Sequence, residues 1–245
     1  MSKIALVTGG MGGIGTAICK TLSNSGYQVI TTYLGNEEKA KNWLYQTSNE
    51  GFSFKAFKCD VADFDSCGEA VTQIKTEIGN ISILVNNAGI TRDATLRKMT
   101  KESWSEVLRT NLDSLFNMTK HVLDEMLEQS WGRIINISSI NGQKGQFGQS
   151  NYSAAKAGVH GFTMAVAQET AKKGVTVNTV APGYIATNMV MAVPEDVRNK
   201  IISGIPVGRL GRAEEIAALV DFLASEHASF ITGSEIAING GQHMM

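Results

Sequence analysis

Ile4-Ala5-Leu6-Val7-Thr8-Gly9-Gly10-Met11-Gly12-Gly13-Ile14-Gly15 decides the reading of the fold. Four apolar residues suit a buried strand, the glycines break it into a turn, and Ile14 to Ser25 carries the apolar spacing of a helix. With no Cβ at Gly9, Gly13 and Gly15 the backbone can turn tightly, admit a pyrophosphate and pack helix on strand. The helix N-terminus then faces the anion. A strand, glycine turn and helix in that order predict a dinucleotide site in an α/β sheet.

Outward from this stretch, short apolar runs alternate with longer helical patterns. Strands are expected at Gln28 to Tyr33, Phe54 to Cys59, Ile83 to Asn86, Arg133 to Ser138, Thr176 to Ala181 and Glu235 to Asn239, each apolar enough to be covered on both faces. Helices are expected at Glu37 to Glu50, Asp63 to Ile78, Thr100 to Met126, Asn151 to Lys173 and Glu214 to Ala224. No Pro/Gly/Ser linker, charge block or fixed-period repeat interrupts this alternation. Residues 1–245 are therefore expected to form one doubly wound, Rossmann-type α/β domain, a parallel sheet with helices on both faces.

Composition narrows the partners. The 245 residues hold 22 Lys+Arg against 23 Asp+Glu, a net charge of −1, which offers no basic field to nucleic acid or an anionic membrane. With 43% hydrophobic and 18% charged residues and 3 Pro, long disorder is excluded. Cys19, Cys59 and Cys67 make neither an even disulfide set nor a paired metal motif, which points to a reducing compartment and no metal. The apolar run after Met1-Ser2-Lys3 is too short for a signal peptide, and no later stretch approaches the roughly 18 apolar residues of a membrane span. A cytoplasmic, complete chain is expected.

The end of the second strand bears on cofactor choice. An acidic residue there holds the ribose hydroxyls of NAD, whereas NADP needs that acid absent and a cation or hydroxyl nearby. Thr31-Thr32-Tyr33-Leu34-Gly35 carries no acid, and Lys39 lies close by, so NADPH/NADP is expected. Asp60-Val61, closing the third strand, either meets the adenine amino group or caps the following helix. Asn86-Asn87-Ala88-Gly89 ends the fourth strand at the ligand-binding edge, leaving room for a ribose or satisfying its own turn.

Tyr152 and Lys156 stand four apart in a helical pattern and share one face. An ammonium near a phenol favours phenolate and brings it within range of proton transfer, though chance alone produces such a spacing often enough that context must support it. Ser139, just past a strand, arrives at the same sheet edge with a hydroxyl for a substrate carbonyl. Asn111, inside the Thr100 to Met126 helix, holds a water or distorts the helix locally.

Thr8-Gly9-x-x-x-Gly13-Ile14-Gly15, Asn86-Asn87-Ala88-Gly89, Asn111, Ser139, Tyr152-x-x-x-Lys156 and Pro182-Gly183, in this order over essentially the whole chain, resemble the short-chain dehydrogenase/reductase family. The resemblance implies a seven-stranded parallel sheet, a homotetramer, and a catalytic set of Asn111, Ser139, Tyr152 and Lys156. It implies a cofactor cradle that includes Gly9, Gly12, Gly13, Ile14, Gly15, Asn87, Ala88 and Gly89. Pro182, Gly183, Tyr184 and Ile185 would lie against the nicotinamide, and Thr187 would touch the cofactor. Within the family, Asn136 to Gln149, Gly89-Ile90-Thr91-Arg92-Asp93 and Asn239-Gly240-Gly241-Gln242-His243-Met244 are similar to the NADPH-dependent acetoacetyl-CoA reductases of polyhydroxybutyrate synthesis. That likeness puts Asp93, Gln146, Phe147, Gln149 and Tyr184, with Ser139 and Tyr152, around an acyl-CoA. Pro194 departs from it, standing where a basic residue can occur.

Reductases acting on acyl-carrier protein share the same catalytic set. They offer cations near the start of the serine-bearing strand and at the end of the tyrosine-bearing helix. Glu128-Gln129-Ser130-Trp131 has no cation before Arg133, although Lys172-Lys173 supplies the second patch. A CoA thioester is therefore the expected substrate.

Overall fold

The computed structural model describes residues 2–244. In chain order the elements are β1 (Ile4–Val7), α1 (Gly13–Asn24), β2 (Gln28–Tyr33), α2 (Glu37–Asn49), β3 (Lys55–Lys58), α3 (Phe64–Glu77), β4 (Ile81–Asn86), α4 (Lys101–Leu108), α5 (Ser114–Glu128), β5 (Gly132–Ile137), α6 (Ile140–Lys144), α7 (Ser150–Thr170), β6 (Val175–Pro182), α8 (Asn188–Met191), α9 (Glu195–Ser203), α10 (Ala213–Ala224) and β7 (Glu235–Ile238). The strands form a seven-stranded sheet in the order β3-β2-β1-β4-β5-β6-β7, with every pairing parallel.

Strand periodicity divides the core in two. Ala5, Val7, Ile83, Val85, Ile135 and Ile137 face one way and pack with Ile18 and Leu22 of α1 and Ile216, Val220 and Leu223 of α10. Leu6, Leu84 and Ile134 face the other and pack with Val71 and Ile74 of α3 and Met118, Val122 and Met126 of α5. The helices thus cover both faces, as expected of parallel strands.

Three expectations need correction. The edge strands are not covered on both faces: in β3 Lys55 and Lys58 are exposed, and β7 is only partly buried, because each lacks a neighbour on one side. The segment 100–126 is not one helix. A π-helical turn over Arg109–Asp113 separates α4 from α5, and there both polar ends of the Asn111 side chain bond the Ile90 backbone. The fourth strand begins at Ile81, with a register shift where Ile4 pairs Ile81 but Ala5 pairs Ile83, so the polar Ser82 masked its start. Short helices α6, α8 and α9 were not legible in the apolar pattern, and α9 buries no residue. Among the described residues no helix is long and apolar enough to cross a membrane.

Candidate active site

The strands' C-terminal ends open into a cleft of about 1040 Å³, at the upper end of the range for ligand pockets. One wall is the glycine turn. Gly9 has φ +63, and a Cβ on Gly15 would stand 2.4 Å from the Gly9 carbonyl oxygen, so neither position accepts a side chain without displacing the turn. Asn87 fastens this turn to the end of β4, its amide donating to the carbonyls of Thr8 (3.0 Å) and Gly9 (3.1 Å). The asparagines therefore do not satisfy their own turn: Asn87 bonds the glycine turn and Asn86 bonds Asn136, while Asn87, Ala88 and Gly89 line the cleft.

Gly12 precedes α1 without a side-chain cap, and no acid sits in the helix's first turn. Uncapped N–H groups facing a cleft with the positive end of the helix dipole suit a pyrophosphate. This donor set fits a nicotinamide dinucleotide. Gly12, Gly13, Ile14, Lys39, Asp60, Val61, Pro182, Gly183 and Thr187 also line the cleft. Leu34 is 66% exposed at its rim, with Lys39 exposed nearby. Asp60 does not cap α3: Asp63 does, its carboxylate accepting from Ser66 N–H at 2.7 Å. The Asp60 carboxylate instead accepts from Ala62 N–H at 3.0 Å.

At the far end, Ser139 follows β5 and caps α6, its Oγ accepting the Asn141 N–H at 3.1 Å. Tyr152 and Lys156 rise from α7, with Nζ 5.7 Å from the centroid of the tyrosine ring. Lys156 is 4% exposed and donates to the Ile137 carbonyl at 2.7 Å. Burial pulls its pKa down to about 8. Burial likewise pushes Tyr152 up, outweighing the hydrogen bond from Ser139, and Asp93 adds to the rise. The expectation that the ammonium would draw the phenol down is therefore reversed: desolvation dominates at both groups and favours the neutral form of each. Tyr152 is a protonated acid at neutral pH.

Asn111 does not line the cleft. It sits behind Gly89, where a Cβ on that glycine would lie 3.0 Å from Asn111 Oδ1 and 3.7 Å from Lys156 Nζ. Of the residues expected around a substrate, Gln149 donates to Asp93 at 2.8 Å and accepts from Asn141 at 2.9 Å, forming a chain that returns to Ser139. Tyr184 is half-buried and its pKa is raised by burial and then by Asp93. Gln146 and Phe147 are exposed on the loop between α6 and α7, Phe147 by 86%. Ile185 is buried, bridging Gly211.

Sequence reasoning missed Arg92, Glu106 and Arg109, which line the cleft although α4 lies far along the chain. Arg92 pairs with Glu106 at 2.9 Å, and Arg109 reaches the Ala62 carbonyl at 3.3 Å. It also missed Asn151, whose amide ties α7 to the carbonyls of Arg92 and Ser103. No spacing rule connects such distant positions. Among the described residues no group of His, Cys, Asp and Glu is placed to hold a metal.

The chain is 57% identical over 242 residues to an acetoacetyl-CoA reductase of Cupriavidus necator, covering 99% of this chain and 98% of that one. It is 57% identical to nodulation protein G of Azospirillum brasilense, with 98% and 97% covered. Identity is 46% to a 3-oxoacyl-[acyl-carrier-protein] reductase of Salmonella typhimurium, with 99% and 98% covered. Residues 3–198, which span the glycine turn, the Tyr152 and Lys156 helix and the end of β6, match the model of the short chain dehydrogenases. The chain belongs to the short chain dehydrogenase family, and its cofactor is a nicotinamide dinucleotide.

Proposed function

We propose that residues 1–245 act as one catalytic domain, an NADPH-dependent acetoacetyl-CoA reductase that forms (R)-3-hydroxybutyryl-CoA for polyhydroxybutyrate synthesis. The observation that carries the chemistry is the convergence of protonated Tyr152, Ser139 and buried Lys156 at one end of a cleft whose other end is the glycine turn. Bound there, the nicotinamide supplies the hydride. Tyr152 donates its proton to the 3-keto oxygen of the substrate, and the Ser139 hydroxyl shares that oxygen and orients the carbonyl. The Lys156 ammonium, fixed by the Ile137 carbonyl, stabilises charge developing on the tyrosine oxygen and holds the nicotinamide ribose. Asn111 is assigned to shaping the wall behind Gly89 next to that ammonium.

The preference for NADPH rests on the exposed, uncharged Leu34 at the cleft rim, where no carboxylate repels a 2′-phosphate, and on Lys39 beside it. A CoA thioester rather than a carrier-protein thioester is favoured by Arg133. This first cation after Glu128 is 2% exposed, stacked 4.4 Å from the Trp131 ring and bonded to the Gly132 carbonyl at 2.9 Å, so it offers nothing to an acidic partner. Relatives bearing the acetoacetyl-CoA reductase name are also more similar, at 51–57% against 46%. Asp93, Gln149 and Tyr184 are assigned to the acyl-CoA side with Gln146 and Phe147. A cytoplasmic homotetramer completes the reading, supported by exposed Trp104, Phe116 and Met164 on α4, α5 and α7.

Initial rates with acetoacetyl-CoA and an acetoacetyl-carrier protein in competition at equal concentration test the substrate. Preferential consumption of the CoA ester is expected, and a clear preference for the carrier-protein form would move the chain to fatty-acid synthesis.

A further inference from the structure

Two of the three cysteines meet at the adenine end of the cleft. Cys59 follows β3, lines the cleft and is 2% exposed; Cys67 lies in α3, fully buried, with the two sulfurs 3.9 Å apart. Between them runs Asp60-Val61, which, since Asp60 does not cap α3, we place at the adenine amino group. Its backbone is held to α3 by two side chains: Asp60 N–H donates to Ser66 Oγ at 3.0 Å, and the Cys67 thiol, with one hydrogen to give, lies 3.6 Å from the Asp60 carbonyl and 3.7 Å from that of Val61. Asn117 adds a bond to the Val61 carbonyl at 3.0 Å.

We propose that Cys59 and Cys67 form a cofactor-guarded redox pair, which a hydroperoxide closes to a disulfide when the adenine end is empty and whose closure weakens dinucleotide binding. The inference rests on the cofactor orientation given above. Cys59, reached through the cleft, attacks the distal peroxide oxygen as thiolate. The O–O bond breaks, the leaving oxygen takes a proton as alcohol or water, and Cys59 becomes a sulfenic acid. The Cys67 sulfur then displaces its hydroxyl: the S–S bond forms, the S–O bond breaks and water leaves. Two thiols lose two electrons and the peroxide gains them.

Position favours Cys59 as attacker, because it lines the cleft while Cys67 is fully buried behind it. Cys19, the third cysteine, is buried beneath the glycine turn with its pKa pushed up to about 12 and has no thiol neighbour among the described residues. Closure draws the sulfurs from 3.9 Å to about 2.05 Å and removes the one hydrogen that Cys67 can give to the Asp60 or Val61 carbonyl. The loop must shift, and the adenine contact shifts with it. Bound dinucleotide covers Cys59 and by linkage resists the closure.

The test treats the cofactor-free protein with hydrogen peroxide, with and without saturating NADP⁺, followed by thiol titration in denaturant and peptide mapping without reductant. Titratable thiols should fall from three to one, with a Cys59–Cys67 linked peptide, and NADP⁺ should slow this loss. NADPH affinity, read by nucleotide fluorescence, should weaken roughly tenfold, the loss of about one hydrogen bond, and dithiothreitol should restore it. Cys67→Ser, which keeps a donor beside the loop but cannot close the bridge, should give no linked peptide after peroxide; Cys67→Ala, which loses the hydrogen as closure does, should bind NADPH more weakly before any peroxide is added. Absence of the linked peptide, an unchanged rate of thiol loss with NADP⁺, or unchanged NADPH affinity of the bridged protein would each overturn the proposal. Failure of the reduced protein to bind NADPH would instead refute the cofactor reading, and the thiol counts separate the two.

Discussion

Tyr152 and Lys156, one helical turn apart, titrate away from their ordinary values in opposite senses for one reason, since burial penalises whichever form is charged. Tyr152→Phe removes the proton donor while leaving the cleft's shape, so turnover should fall on the order of 10²–10⁴-fold with NADPH affinity retained. Near-normal turnover of a folded variant would remove Tyr152 from the mechanism. For Lys156 the folded pKa of about 8 lies below the ordinary lysine value of 10.5, so between these values the unfolded chain binds more protons and stability rises with pH. Below about pH 8 both states are charged and the full burial penalty applies. Against Lys156→Met, the cofactor-free wild type should gain up to about 3 kcal/mol between pH 7.5 and 10.5, measured by urea unfolding. A flat difference would mean that the ammonium is solvated rather than buried.

At the scale of elements, α7 is set against the sheet by a line of fully buried polar groups. The Asn86 amide donates to Asn136 at 2.9 Å, the Asn136 amide to Thr163 Oγ1 at 2.9 Å, and Thr163 shares a hydrogen bond with Thr179 at 2.7 Å. The line joins β4, β5, α7 and β6 and fixes the register of the helix that carries Tyr152 and Lys156. Thr163→Val preserves volume but leaves the Asn136 amide unpaired. It should cost about 1–3 kcal/mol in denaturant unfolding, and Thr163→Ser should restore most of that. The π turn at Arg109–Asp113 is the second such device: the wider turn lets Asn111 pair with Ile90 as a strand residue would, holding the Gly89 loop against Lys156.

For the whole molecule, the chain order of the sheet reverses between β1 and β4, and the crevice there receives the glycine turn, the Asn87 loop and the ends of β5 and β6. Cofactor binding therefore bridges both halves of the sheet and should stabilise the molecule as a unit. NADPH at a hundred times its dissociation constant should add about 2.7 kcal/mol, and NADH at the same concentration less, read as unfolding midpoints in parallel samples. Equal midpoints would refute the assignment of Leu34 and Lys39.

Local patterns determined most of this architecture. β1 was legible as a continuous apolar run and β2, β5 and β6 as short β-branched stretches between helical patterns, and the glycine turn was legible because close backbone approach admits no Cβ. Ser139, Tyr152 and Lys156 were singled out through the resemblance to the short-chain dehydrogenases, since spacing alone gave only a shared helix face for Tyr152 and Lys156. Tertiary structure alone decided the direction in which the Tyr152 pKa moves, since the desolvation that raises it depends on what surrounds the phenol and not on the lysine four residues away. It also decided that Arg133 is buried in a cage of carbonyls and the Trp131 ring, that Asn111 breaks its helix by bonding Ile90, and that Arg109 and Cys59 meet the same cleft. These are contacts between residues distant in sequence, and their energy comes from packing and desolvation that exist only once the sheet has assembled.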